Sequence, residues 1–286
     1  MPTLYKVFMN HSTYDWKNKK GQHIFAQRWI PDGKPIAVIC HLHGQSDHSS
    51  RFEHVAGFFV DHDIAFIAID LIGHGKSAGA RGHVLSFSEY TESVDMLLDE
   101  AEKLFPDVPV FVYGHSMGGN IVLHHAFVTT RNIKGYIVTS PWIKLAFEPP
   151  AWKVALGKTV KSIFPALLQP TGLDASLISH DEEVVEKYKN DKLVHGKISA
   201  SGFFEILMHG YAILDHKEEL KYPVLLMHGT GDKVTSCDAS RTFANQHQKN
   251  MTFIEMDGLY HEMHNEPQQL TVFNEMLNWI KNTINK

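Results

Sequence analysis

The chain has 286 residues, 43% of them hydrophobic and 21% charged, with a formal net charge of −5 when its 20 histidines are neutral. So mild a balance excludes the basic face that a nucleic-acid partner requires, and the length suffices for one large buried core. Two cysteines, Cys40 and Cys237, exclude a disulfide framework and a paired-cysteine zinc motif.

In chain order, the segment 5–29 reads as a polar antiparallel pair at a sheet edge. "PIAVICHL" (35–42) and "IAFIAIDL" (64–71) are short and almost wholly apolar, as strands buried on both faces are. Val94, Leu97, Leu98, Ala101, Leu104 and Phe105 recur at helical spacing, which predicts a helix over 89–105 with one face on the sheet. "VPVFVYG" (108–114), "KGYIVTS" (134–140), "YPVLLMHG" (222–229) and "MTFIEMD" (251–257) are four further strands. Leu270, Phe273, Leu277, Ile280 and Ile284 mark a last helix after Pro267. This alternation predicts an α/β fold with an open, mostly parallel sheet and a ligand at the carboxyl ends of its strands.

Between 141 and about 215 the alternation stops. The run "PWIKLAFEPPAWKVALGKTVKSIFPALLQP" is rich in Trp, Pro, Phe and Leu. It predicts a helical insertion over the carboxyl end of the sheet, so that residues 1–286 form one domain with a cap at about 141–215. Nothing at "MPTLYKVFMN" reads as a signal peptide, and no apolar run reaches the ~18 residues of a membrane span. A cytoplasmic location is expected.

The strongest chemical signal is Gly114-His115-Ser116-Met117-Gly118, a G-x-S-x-G that follows a buried strand and opens a helix. Such a turn is tight and strained, so side chains at Gly114 and Gly118 would collide with neighbouring backbone, and Ser116 would project into the cleft. A serine nucleophile needs a base, and the base an orienting acid. On this type of sheet they follow in the order acid, then histidine. Asp232, in "MHGTGDKV", lies just past one strand; His261, in "DGLYHEMHNEP", lies just past the next. His264 is the rival base. "HEMH" also invites a zinc reading, but its histidines are three apart rather than four.

The tetrahedral intermediate needs two main-chain N–H donors: Met117, after the nucleophile, and Gln45, in the loop after the 35–42 strand. That loop, "HLHGQSDH", carries three histidines and an aspartate within eight residues. No convergent set of further ligands supports a metal there, so His43 and His48 are read as organising an oxyanion loop. "GHGKSAGARG" fails the Walker spacing; Asp70 and Arg81 are read as structural.

Together "HLHGQSDHSSRF", "DLIGHGKSAGARGHV", "YGHSMGG", "SPWI", "GTGDKV" and "YHEMHNE" resemble, in order and spacing, the monoacylglycerol lipase family of serine hydrolases, also described as lysophospholipase-like. The likeness runs from about 15 to 280. It implies an α/β-hydrolase fold with a hydrophobic cap, ester cleavage without cofactor or metal, a triad of Ser116, Asp232 and His261, and oxyanion donors at Gln45 and Met117. The family usually has a small residue and then Gly-Glu-His after His-Gly; here the run is Gln45-Ser46-Asp47-His48. Proline usually follows the position of Asp191; here it is Lys192.

The expected substrate is a lipid ester, monoacylglycerol first. A lysophospholipase, a general carboxylesterase and an acyltransferase are alternatives within the fold, and a noncatalytic binding protein is one outside it. In the cap, Trp152, Ala155, Leu156, Val160, Ile163, Phe164 and Leu167 can share a helix face, with Lys153 and Lys161 outside it. Such a face packs on the core or lines an acyl tunnel; part of it docking on an anionic membrane is the second reading.

Overall fold

The computed structural model describes residues 10–147, 149 and 151–286, without the side chains of 151–153, 155, 156 and 158. The chain opens with the antiparallel strands β1 (Asn10–Lys17) and β2 (His23–Ile30). The predicted polar pair is therefore present; its first residues, 5–9, lie outside the described residues. Then follow β3 (Ala37–Leu42), α1 (Glu53–Val60), β4 (Ile64–Ile69), α2 (Ser88–Leu104), β5 (Val110–His115), α3 (Met117–Val128) and β6 (Gly135–Thr139). After an excursion come β9 (Val224–Gly229), α7 (Cys237–Gln246), β10 (Met251–Met256) and α8 (Gln269–Ile284).

The eight long strands form one sheet in the order β1-β2-β4-β3-β5-β6-β9-β10, parallel from β4 onward. Strands β3, β4, β6 and β9 are buried throughout, because helices cover both faces. One core includes Val94, Leu97 and Leu98 of α2 and Ile121 and Val122 of α3. The other includes Phe59 of α1 and Phe273, Leu277 and Ile280 of α8. The α/β-hydrolase expectation is met.

The excursion between β6 and β9 holds α4 (Ala151–Ile163), β7 (Leu168–Pro170), α5 (Glu182–Asn190), β8 (Lys197–Ser199) and α6 (Ala200–Asp215). Helices α4, α5 and α6 fit the predicted helical insertion, but β7 and β8 add a small antiparallel ribbon. Three-residue strands, one of them fully exposed, leave no alternation to read. The GHGKSAGARG loop anchors this ribbon. A Cβ on Gly82 would lie 2.0 Å from the Lys197 carbonyl oxygen, and Ser199 N–H donates to Gly82 O at 2.8 Å.

Candidate active site

Ser116 sits between β5 and α3 with φ 54° and ψ −115°, a left-handed conformation that costs a non-glycine residue about 1–3 kcal/mol. The surrounding packing imposes it. A Cβ on Gly114 would stand 2.3 Å from Gly118 O, and one on Gly118 would stand 2.2 Å from Leu42 O. Both glycines therefore let α3 press against the ends of β5 and β3.

Behind the serine runs one line of hydrogen bonds. His261 Nε2 faces Ser116 Oγ at 3.0 Å, and His261 Nδ1–H donates to Asp232 Oδ2 at 2.8 Å. Asp232 is fixed by its own loop: Oδ1 accepts from the Val234 and Thr235 N–H groups at 2.7 and 3.0 Å, and Oδ2 from Thr235 Oγ at 2.9 Å. Burial alone would raise the Asp232 carboxyl; the charge of His261 and the hydrogen bonds from His228 and His261 outweigh it and hold the group well below the usual carboxylate range. Burial likewise opposes charge on His261, but Asp232, by charge and by hydrogen bond, raises its pKa above the ordinary imidazole value.

The rival base, His264, belongs to the core. It is buried, stacks on Phe52 with ring centroids 4.4 Å apart, and neither ring nitrogen has a hydrogen-bond partner among the described residues. Burial holds it neutral, well below the usual histidine range. His115 lies with its ring 4.9 Å from that of His261; burial, then the charge of His261, lowers it to about 3.

Gly44 brings the oxyanion loop against the serine: a Cβ there would lie 3.1 Å from Ser116 Cβ. Gln45 follows it, and the two residues and Ser116 share one cavity wall. Met117 is the first residue of α3, so its N–H is one of the donors that a helix start leaves without an internal acceptor. Ser46, where the family prefers glycine, has φ 69°. The cap braces this turn. Gln45 Nε2 donates to Lys197 O at 3.0 Å, His195 N–H to Ser46 O at 3.4 Å, and His48 Nε2 meets Asp191 Oδ2 at 2.9 Å. His43 accepts from Leu71 N–H at 3.0 Å and donates to Gly44 O at 2.7 Å, while Asp70 accepts from Ser49 and from Lys76 N–H. His43 and His48 thus organise loops, while His41 packs in the core against Phe52, Phe66 and Tyr113. Among the described residues, no three His, Cys, Asp or Glu side chains converge as a metal site requires.

Three features escaped the sequence reading. Arg51 forms a two-pronged pair with Glu262 at 2.8 and 2.6 Å, reaches Asp47 at 3.0 Å, and lies over the Tyr188 ring. It joins the oxyanion loop, the loop of the base and α5. Thr235 closes the Asp232 turn, for which an Asp followed three residues later by Thr was the available signal. His228 contacts Asp232 from β9, and one histidine among 20 gave no warning of it.

The cavity beside Ser116 measures about 250 Å³, and its wall is mostly apolar, with Trp142, Leu145, Phe147, Leu173, Ile178 and Phe203 among its residues. Of the residues read as packing on the core or lining an acyl tunnel, none that is described belongs to this wall. Val160 is half-buried, and Ile163, Phe164 and Leu167 are exposed. Trp152, Lys153, Ala155 and Leu156 lie outside the described side chains. Lys161, expected outside that apolar face, pairs with Glu205 of α6 at 2.6 Å.

Residues 33–268 match the family Hydrolase_4, described as serine aminopeptidase, S33. A monoacylglycerol lipase of Mycolicibacterium smegmatis is 30% identical over 276 residues, 96% of this chain and 98% of that protein. The phospholipase YtpA of Bacillus subtilis is 33% identical over 249 residues, 86% and 95% of the two chains. An uncharacterized abhydrolase domain-containing protein of Dictyostelium discoideum is 36% identical over 90% of this chain, which spans only 27% of that protein. Among solved structures, a monoacylglycerol lipase of Paleococcus ferrophilus superposes with a TM-score of 0.80 at 27% identity, over 97% of this chain and 100% of that one. The resemblance read from the motifs is borne out, and the chain belongs to the Hydrolase_4 (serine aminopeptidase, S33) family of α/β-hydrolases.

Proposed function

We propose that this protein is a serine hydrolase that cleaves monoacylglycerol to fatty acid and glycerol through an acyl-enzyme on Ser116. The observation that carries the proposal is the unbroken Ser116–His261–Asp232 line, at 3.0 and 2.8 Å, opening into an apolar cavity. His261 takes the Ser116 proton as Oγ attacks the ester carbonyl. Asp232 holds the imidazole tautomer and stabilises the imidazolium. The oxyanion sits between the N–H groups of Gln45 and Met117. The alcohol leaves with the proton from His261, and water then cleaves the acyl-enzyme by the same route, so no step calls for a cofactor. The apolar wall accepts the acyl chain, and relatives whose names denote monoacylglycerol lipases support the head-group assignment.

The segment of about 141–215 acts as the cap. Phe147, Ile163, Phe164, Leu167 and Leu168 are 60, 62, 63, 54 and 40% exposed, which is the chemistry of a surface that meets a lipid interface peripherally. Among the described residues no helix is long and apolar enough to cross a membrane.

The test is a substrate panel of monoacylglycerols, diacylglycerols, lysophospholipids and short p-nitrophenyl esters. Preferred turnover of monoacylglycerol is expected. Preference for lysophospholipid would move the assignment toward the phospholipase relative, and turnover of short esters alone would remove the lipase reading.

A further inference from the structure

A second imidazole touches the acid of the triad. His228, near the end of β9, is fully buried, and its Nε2 lies 3.1 Å from Asp232 Oδ2, the oxygen that also accepts from His261. Its Nδ1 lies 2.7 Å from Ser240 Oγ, in the first turns of α7, and Ser240 is fully buried too. Thr235 Oγ fills the space between the two imidazoles, 3.4 Å from His228 Nε2 and 3.3 Å from His261 Nδ1. The five groups form one buried chain: Ser240, His228, Asp232, His261, Ser116.

We infer that the Ser240–His228 pair is a positioning element of the triad, which fixes the rotamer of Asp232 and shares its charge between two imidazoles. The inference rests on the reading of Ser116 as nucleophile. The tautomers follow from the donor inventory. Ser240 Oγ–H donates to His228 Nδ1, which leaves the proton on Nε2 and aims it at Asp232. A carboxylate oxygen with three donors of fixed direction cannot rotate without breaking charge-assisted hydrogen bonds in a buried site. Without His228, Oδ2 would keep only Thr235 and His261. The carboxylate would then hold the imidazolium more tightly and be less firmly oriented. Other groups acting on His261 are Glu262 beside it, Asp47 of the oxyanion loop, and His115 at the end of β5. None of these is altered by a change at position 228.

The experiment compares wild type, His228→Leu and His228→Gln on a short p-nitrophenyl ester, normalised to active sites by fluorophosphonate titration. The glutamine amide can donate to Asp232 and accept from Ser240, whereas leucine can do neither. In His228→Leu, kcat is expected to fall about tenfold with KM nearly unchanged, and the acid limb of kcat/KM to move up by roughly 0.5 pH unit. His228→Gln should recover most of both. If His228→Leu does not fold, Ser240→Ala serves instead, with kcat reduced about threefold and the limb moved the same way. A wild-type kcat and acid limb in the leucine variant, or in Ser240→Ala when that variant stands in for it, would overturn the inference. So would a glutamine variant as impaired as leucine. Absence of fluorophosphonate labelling in the wild type would instead overturn the proposed function.

Discussion

At the residue scale, the acid and the base are tuned against each other. Asp232 stays ionised because His261 and His228 face it, and His261 gains basicity from Asp232 despite its burial. The base must be neutral to take the Ser116 proton, so activity is lost as pH falls through the raised pKa of His261. The acid limb of kcat/KM is therefore expected above the ordinary 6.5, and a pH–rate profile in dilute buffer checks it. A limb well below 6.5 would mean that Asp232 does not support the imidazolium. Ser116, Asp232 and His261 were all legible as residues, because each lies just past a readable strand and follows the required order. His261 was also preferred to His264 as the base, although the contacts that separate the two were not legible. The two histidines, three apart, differ in their partners: His261 meets Ser116 and Asp232, whereas His264 stacks on Phe52, more than 200 positions away in sequence. His228 was illegible for the same reason, since its partner Ser240 comes from the following helix.

At the scale of elements, the six apolar runs were read to within two residues at most of their ends; four of them are strands buried throughout, which leave an uninterrupted hydrophobic signal. The segment between β6 and β9 resisted reading. Its ribbon is held by loop contacts to Gly82 and Ser46 rather than by its own pattern. Its apolar residues divide among the core, the cavity wall and solvent, a division that periodicity alone does not reveal. Phe164 and Leu167 fall on the solvent side. If this face meets lipid, Phe164→Glu with Leu167→Glu should weaken sedimentation with anionic vesicles about tenfold or more, given roughly 1.5–3 kcal/mol for each large side chain buried. Turnover of a short water-soluble ester should stay near wild type. Unchanged vesicle binding would remove the membrane contact. Charge reversal at Lys161 is a poorer probe, because it would break the ion pair with Glu205.

At the scale of the whole molecule, the histidine content becomes a stability statement. Burial lowers His41, His74 and His264 well below 6.5, with cationic neighbours adding to it, lowers His43 and His54 below 6.5 against the pull of nearby carboxylates, and brings His115 to about 3. In the unfolded chain these groups take up protons near 6.5, while in the folded chain they do not. Their contribution is therefore intact above about pH 6.5 and is lost as pH falls from there toward the folded values, at up to ~1.4 kcal/mol per pH unit for each group. His261, raised rather than lowered, opposes the trend as a single group. The urea midpoint is expected to drop steeply between pH 7 and 5. A flat midpoint over that range would contradict the neutral burial of these histidines. Composition disclosed the excess of histidine but not its burial, which arises only when β3, the oxyanion loop and the loop of the base pack together. The central claim is that Ser116 carries the acyl group, and the most direct measurement is fatty-acid release from monoolein by wild type and Ser116→Ala at matched concentration. The account predicts turnover by wild type and a loss of about 10³-fold or more in the variant, with fluorophosphonate labelling confined to wild type. Equal rates in the two proteins, or a wild type that neither hydrolyses any ester nor accepts the label at Ser116, would contradict it.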